Sequence, residues 1–223
     1  GAYEEAAVLY RSNAQSRAIE EALLRVSIPY RIYGGLRFYE RLEIKNAIAY
    51  LRIIFNNNDN PSFERSISNP TRGVGEKTLA KIRQAAKKYN ISYIKASAKL
   101  IDEGSISGRG GSGLRDYLEF VAGCKSFIED NTLSDLMELI IKETGLYAYH
   151  AKEAGEKGKT RTENLEELIT ATKNFEQSIK DDRTNIEIAE SYLDIISLDS
   201  GDRQASEHDD AAQLMTMHSA KGL

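Results

Sequence analysis

The chain has 223 residues, a length typical of one large domain or of one domain with parts of another. Hydrophobic residues make up 41% of it, which excludes a fully disordered protein. With 30 Lys and Arg against 34 Asp and Glu, the net charge is -4, so the chain as a whole is not a basic nucleic-acid coat protein. Its single cysteine, Cys124, excludes an internal disulfide and a cysteine-type zinc site, and fits a reducing cytoplasm.

No stretch approaches the ~20 consecutive apolar residues of a membrane helix, and the first residues show no signal-peptide pattern. We therefore expect a soluble, cytoplasmic protein that has no membrane partner. The sequence lacks an initiator methionine and stops just after a predicted strand, so we expect an excised fragment of a longer protein.

The first 55 residues predict an α/β segment. An apolar run at residues 6–10 predicts a strand, and apolar positions at helical spacing follow at residues 19–26. Residues 29–33 alternate like a second short strand, and residues 44–55 predict a strongly amphipathic helix.

From residue 56 to about residue 198 the apolar spacing is almost wholly helical, and Thr132 with Asp135 resembles a capping box. The glycine-rich residues 104–113 and the polar, acidic residues 200–210 are expected to be mobile connections. Residues 212–218 predict a last strand. A helical body inserted into an α/β domain explains this order.

Charge is distributed unevenly along the chain. Residues 65–95 contain eight basic residues and one acidic residue, whereas residues 181–210 contain two basic and ten acidic residues. A basic face on a neutral body is a candidate phosphate-binding surface. Ordinary solvated helix charge explains the same counts equally well.

The sequence RGVGEKT at residues 72–78 places a Gly-Val-Gly turn directly before a predicted helix. Two glycines let the backbone fold tightly and present free N–H groups, and the helix N-terminus adds about half a positive charge. Such a turn binds the sugar-phosphate backbone without reading bases, and Arg72, Lys77 and Thr78 would add contacts. An ordinary glycine turn between helices is the alternative.

A second candidate is the segment GGLRFYERLEIK, whose paired glycines indicate a hinge or a close backbone approach. Arg37, Arg41 and Lys45 recur every four residues and share one helix face if the helix begins that early. Phe38 and Tyr39 could stack on bases, but core packing is the favoured interpretation.

Polar residues also follow the first and last predicted strands, at Arg11 and Asn13 and at Thr216 and His218. Open α/β sheets bind ligands beyond the carboxyl ends of their strands. A lone histidine is more often structural than functional, however, so these residues alone do not establish a binding site.

Conventional catalytic motifs are absent from the sequence. It has no Gly-x-x-x-x-Gly-Lys-Ser/Thr phosphate loop and no His-Glu-x-x-His motif, and its three histidines are scattered. Cys124 lies on the apolar side of a helical pattern, which favours packing over a nucleophilic role. We therefore expect no catalytic residue and no metal site, and an autonomous nuclease or ATPase is disfavoured.

Together these segments resemble the UvrD/PcrA/Rep family of superfamily 1 DNA helicases. AVLYRSNAQSR at residues 7–17 is similar to motif IV, and LMTMHSAKGL at residues 214–223 is similar to motif V, with Met217 for leucine. The paired-glycine segment resembles the entry into the family's 2B subdomain. Residues 72–78 resemble its Gly-Ile-Gly duplex-binding motif, with Val74 for isoleucine.

This resemblance implies a mainly α fold, in which a helical 2B subdomain is inserted into an incomplete RecA-like α/β 2A subdomain. It assigns residues 1–35 and 207–223 to 2A and residues 36–206 to 2B, with Gly34 and Gly35 as the hinge.

The resemblance also implies part of an ATP-dependent 3′-to-5′ DNA helicase of nucleotide-excision and mismatch repair, in the bacterial cytoplasm and associated with the nucleoid. ATP and Mg²⁺ would serve the parent protein, while the fragment alone would be inactive and hold no cofactor. The expected partners are a single-strand/duplex DNA junction, bound without sequence preference, and repair proteins. The alternative is a non-catalytic protein-interaction or regulatory module of a repair protein.

Two sets of DNA-contact residues follow from the match to the family's motifs. The strand set, expected to contact single-stranded DNA, comprises Arg11, Asn13, Thr216 and His218. The duplex set comprises Lys45, Gly73, Val74, Gly75 and Thr78, together with Arg72 and Lys77, which the phosphate-binding argument adds.

Overall fold

The computed structural model describes residues 2–199 and 209–221, and within them most of the chain is helical. The helices are α1 (Ser16–Arg25), α2 (Leu42–Phe55), α3 (Asn60–Ser68), α4 (Glu76–Tyr89), α5 (Tyr93–Asp102), α6 (Gly108–Asp130), α7 (Leu133–Glu143), α8 (Leu146–Ala151), α9 (Glu156–Ser178), α10 (Asn185–Asp199) and α11 (Met217–Ala220). The strands are β1 (Ala7–Tyr10), β2 (Tyr30–Ile32) and β3 (Ala212–Thr216). The expected mainly α fold is confirmed.

The two ends of the chain meet in one parallel sheet with the strand order β1-β3-β2. Tyr10 of β1 is in register with Thr216 of β3, and Ile32 of β2 is in register with Leu214. Apolar residues of α1 pack on one face of this sheet and form a small core around Leu214. The strands predicted near residues 6–10 and 29–33 are therefore present and share β3 as their neighbour.

The helical body, helices α2–α10, encloses a second and larger hydrophobic core. Its central element is α2, which buries ten of its fourteen residues because helices on several sides pack against it. Phe38 is 1% exposed in this core, as expected from the sequence. Thr132 and Asp135 form the predicted capping box at the start of α7. The boundaries at residues 35 and 206 between the two expected subdomains remain a prediction.

The expectation of a mobile connection at residues 104–113 is wrong, because α6 begins at Gly108. Glycines favour mobility in an unfolded chain, but here they allow close packing. A Cβ atom on Gly113 would lie 2.0 Å from the carbonyl oxygen of Arg72, and one on Gly110 would lie 3.1 Å from that of Gly73. The missing side chains let α6 approach this loop.

The strand predicted at residues 212–218 is shorter than expected and ends at Thr216. The Thr216 Oγ1 accepts a hydrogen bond from the backbone N–H of Ser219 at 3.1 Å and caps α11, so His218 is helical. Most of the expected connection at residues 200–210 lies outside the described residues, which include only its last two.

Cys124 is buried in α6, and burial raises the pKa of its thiol to about 12, in agreement with a packing role. Among the residues that the structure describes, no group of three His, Cys, Asp or Glu side chains is arranged to hold a metal ion. None of the helices in that part of the chain is long and apolar enough to span a membrane.

Candidate nucleic-acid interface

The strand set is brought together at the carboxyl edge of the sheet. Because β1 and β3 are parallel neighbours, Arg11 directly follows one strand where Thr216 ends the next. The Arg11 side chain is exposed, and its backbone N–H donates to Gln15 Oε1 at 2.8 Å. His218 is also exposed, on α11. The four residues thus lie along one edge, with the cation of Arg11 open to solvent.

Unlike the other residues of the strand set, Asn13 has a backbone carbonyl oxygen that is bound by an arginine of the helical body. The Arg41 guanidinium donates to the Asn13 carbonyl oxygen at 2.8 Å, to Ser16 Oγ at 2.6 Å and to Asn164 Oδ1 at 3.0 Å. Arg41 is 8% exposed. It therefore joins the loop after β1, helix α1 and helix α9 through one buried side chain.

A buried carboxylate completes this arrangement. Glu20 accepts hydrogen bonds from Ser16 Oγ at 2.8 Å and from the Phe38 backbone N–H at 3.2 Å. Burial raises the pKa of Glu20, while these donors and the nearby Arg41 act in the opposite direction. The negative charge and the guanidinium thus compensate each other inside the protein.

The shared helix face suggested for Arg37, Arg41 and Lys45 is not formed, since α2 begins only at Leu42. Arg37 is 4% exposed and donates from Nε to the hydroxyl of Tyr30 at 3.0 Å. The spacing of the three basic residues does not predict that Arg41 is buried. A repeat of four residues places side chains on one face only within a helix, and Arg41 precedes α2.

The paired glycines lie beside the strand edge. Gly34 has a φ of +73°, which favours glycine, and a Cβ atom there would be 3.2 Å from Ser219 Oγ. The close approach predicted for this segment is thus present, next to the helix that carries His218. Whether Gly34 and Gly35 act as a hinge remains a prediction.

The centre of the duplex set is the 73–75 turn, the three residues before α4. Gly73 has a φ of +75°, and the side chain of Val74 is 7% exposed and anchors the turn in the large core. Gly75 is the N-cap of α4 and provides no side-chain hydrogen bond. Among the described residues, the backbone N–H groups of Gly75, Glu76 and Lys77 face no acceptor.

The side chains around the turn fall into two kinds. Lys77 is exposed and Thr78 is half-buried, so both are open to a ligand. Arg72 instead donates to the carbonyl oxygens of Pro70 at 2.8 Å and Thr144 at 3.0 Å. Its guanidinium also lies over the rings of two buried tyrosines, Tyr50 and Tyr117. These contacts give Arg72 a structural role in fixing the loop.

Lys45 lines a cleft of about 220 Å³ between α2 and α3, and no residue of the 73–75 turn lines this cleft. Arg52 and Arg65 line the same cleft, and no carboxylate of the described residues lines it. Arg65 donates to Asn46 Oδ1 at 3.1 Å. Arg52 is a cation that the sequence argument did not single out. Arg52 follows Lys45 by seven residues on α2, and this spacing could have placed the two cations on the same helix face from the sequence.

The basic stretch at residues 65–95 is partly neutralised within the fold. Arg83 pairs with Glu64 at 2.6 Å and with Glu76 at 2.5 Å, which links α3 to α4. Hydrogen bonds from Arg83 lower the pKa of Glu64. Lys77, Lys87 and Lys88 are exposed, so positive charge remains on α4.

The sequence matches the family described as the UvrD-like helicase C-terminal domain over residues 1–106 and 115–223. DNA helicase II of Escherichia coli (strain K12) is 46% identical over 223 residues, which is 100% of this chain and 31% of that relative. The ATP-dependent DNA helicase PcrA of Leuconostoc citreum is 37% identical over 100% of this chain and 30% of that relative, and PcrA of Bacillus subtilis (strain 168) is 36% identical over 97% and 29%. The chain spans about a third of the length of these relatives. On this evidence, the chain belongs to the family of UvrD-like helicase C-terminal domains.

Proposed function

We propose that this chain is part of an ATP-dependent 3′-to-5′ DNA helicase and supplies that enzyme with duplex binding and with part of its single-strand groove. The family membership supports a helicase, and the names of the relatives support the need for ATP. The parent protein would act with Mg²⁺ in nucleotide-excision and mismatch repair, in the bacterial cytoplasm near the nucleoid. The chain by itself would hydrolyse no ATP.

The observation that carries the proposal is the open 73–75 turn. Three consecutive backbone N–H groups at the start of α4 lack acceptors among the described residues, and Lys77 lies exposed beside them. N–H groups at a helix N-terminus are good donors to a phosphate group, and the helix dipole favours its negative charge. Duplex DNA presents such phosphates at regular spacing regardless of base sequence.

The strand set would hold a single strand at the carboxyl edge of the sheet. Arg11 offers an exposed guanidinium, while Asn13, Thr216 and His218 offer polar groups along the same edge. A duplex that reaches the 73–75 turn and a strand that reaches this edge together form the expected junction. Because these contacts are mainly to phosphates, binding should be independent of sequence and weaken steeply with salt.

The test removes one N–H group from the turn while the fold is retained. Proline is well tolerated at the first helical position, which Glu76 occupies, and Gly75 has the extended ψ of -179° that a following proline needs. Glu76→Ala is the matched control, since it removes the same carboxylate and its pair with Arg83 but retains the N–H. Glu76→Pro should bind a fluorescent single-strand/duplex junction about tenfold more weakly than Glu76→Ala.

Anisotropy titrations over a series of salt concentrations measure this difference, and circular dichroism checks that both variants stay helical. Equal affinities of the two variants would show that the turn amides do not contact DNA. They would favour the alternative, a protein-interaction or regulatory module whose positive charge only improves solubility.

A further inference from the structure

Arg109, in the first turn of α6, lies directly across the 73–75 turn. A Cβ atom on Gly73 would be 2.9 Å from Arg109 Cγ and 3.4 Å from both Cδ and Nε. The stem of the arginine therefore occupies the space that a side chain at position 73 would take. Only a glycine at this position leaves room for the stem at its present distance.

The backbone next to Arg109 also lies close to the turn. A Cβ atom on Gly110 would lie 3.1 Å from the Gly73 carbonyl oxygen and 3.7 Å from Thr78 Oγ1. Arg109 and Gly110 of α6 thus both lie close to the segment between Gly73 and Thr78. This contact fixes where the guanidinium can reach, because the arginine stem is only four bonds long.

The charge of Arg109 is not compensated within the described residues. Its side chain is exposed, and no hydrogen bond, ion pair or ring contact engages it there. By contrast, Arg83 of α4 is paired with two carboxylates and Arg72 is held by two carbonyl oxygens. Of the three arginines near the turn, Arg109 alone is both exposed and without a partner in the described part of the chain.

We propose that Arg109 is a further DNA-contact residue, which binds a phosphate of the duplex beside the N–H groups of the 73–75 turn. This inference rests on the proposed function, since it adds a side-chain cation to the same site. An arginine beside a turn with free N–H groups supplies charge and planar donors that match phosphate oxygens. Arg109 lies outside the two ranges that match the family, 1–106 and 115–223.

The experiment compares Arg109→Ala with Arg115→Ala, a matched control that removes an exposed arginine from the same helix. Duplex affinity is measured by anisotropy from low to moderate salt. Arg109→Ala should weaken binding about fivefold at low salt and reduce the slope of log K against log[salt] by about one, for duplexes of any sequence. Arg115→Ala should leave both quantities unchanged, and Arg109→Lys should retain the slope.

Equal losses in Arg109→Ala and Arg115→Ala would mean that only total charge matters, and would overturn the inference. A loss in Glu76→Pro relative to Glu76→Ala without any loss in Arg109→Ala would leave the proposed function standing and remove Arg109 from the site. If neither position affected duplex affinity, both proposals would fail together.

Discussion

Two arginines, the buried Arg41 and the half-buried Arg72, hold loops of this protein in place through hydrogen bonds to backbone carbonyl oxygens. Arg72 and Arg41 each use several N–H groups to bind backbone carbonyl oxygens of loops that bear expected DNA contacts. A backbone carbonyl held in this way cannot move without breaking a charge-assisted hydrogen bond in a poorly solvated environment. We therefore expect the two arginines to support the neighbouring contact residues by fixing the loops that bear them.

Arg41→Lys tests whether Arg41 acts through its several hydrogen bonds to the loop after β1 and not only through its charge. A lysine retains the charge, but its single nitrogen cannot reach Asn13, Ser16 and Asn164 with the planar geometry of a guanidinium. We expect unfolding free energy to fall by about 2 kcal/mol and affinity for single-stranded DNA to fall about fivefold. Affinity for blunt duplex, which we assign to the 73–75 turn, should stay unchanged.

Chemical denaturation and anisotropy with a labelled oligothymidine measure these effects. Lys157→Gln is the control, because Lys157 is an exposed cation that lines the same cleft as Arg41. If Arg41→Lys weakened single-strand and duplex binding to the same extent, the arginine would serve only general stability.

Much of this residue-scale detail could not be read from the sequence. The sequence predicts the 73–75 turn, because two glycines directly before a helix let the backbone turn tightly and present free N–H groups. Arg72 and Lys77 looked equivalent as basic residues near that turn. Their difference depends on Tyr50, Tyr117 and Thr144, which are distant in sequence and are brought to Arg72 only by folding.

Apolar periodicity predicts the long helices well, because one face of each helix has to be buried. The segment 104–113 was predicted wrongly, since glycine has two opposite uses. It loosens a chain that packs against nothing, and it permits the closest contacts where backbones meet. The partner backbone at Arg72 is more than thirty residues earlier in the chain, so the local pattern cannot distinguish the two uses.

Gly113→Ala and Gly123→Ala separate these two uses of glycine on one helix. A Cβ at position 113 would lie 2.0 Å from the Arg72 carbonyl oxygen, whereas at Gly123 nothing lies within 4 Å. We expect Gly113→Ala to lower the unfolding free energy by about 2–3 kcal/mol through overpacking. Gly123→Ala should raise it by about 0.5–1 kcal/mol through helix propensity.

Urea denaturation provides both values. Because the clash lies at the loop that carries the 73–75 turn, Gly113→Ala should also weaken duplex binding, and Gly123→Ala should not. A stabilising effect at both positions would show that α6 can shift away from the loop at little cost.

The chain builds two hydrophobic cores of different size. The smaller core lies between the sheet and α1 and is completed only when β3, from the far end of the sequence, enters between β1 and β2. The larger core lies within the helical body. Polar contacts join the two parts, notably Arg17 with Glu167 at 2.7 Å and Arg41 with Asn13 and Ser16.

Because the two cores are separate, we expect the sheet and the helical body to respond differently when a core side chain is truncated. Leu214 and Leu168 are both fully buried, one in each core, and truncation of either to alanine removes the same number of methyl groups. Each substitution should cost about 2–4 kcal/mol. Leu214→Ala should abolish hydrogen-exchange protection in β1 and β3 while the helical body stays protected, because the helical body has a core of its own to which Leu214 does not contribute.

Leu168→Ala should lower protection in the helical body and, through it, in the sheet, since Glu167 and Asn164 on the same helix anchor α1 and the loop after β1. Native-state hydrogen exchange followed by mass spectrometry measures both patterns peptide by peptide. The decisive result is the difference between the two exchange patterns. It would mean that the helical body orders the strand set, whereas the sheet does not order the helical body. If Leu214→Ala exposed both cores equally, the protein would instead unfold as one unit, and polar contacts between the cores would be as strong as the cores themselves.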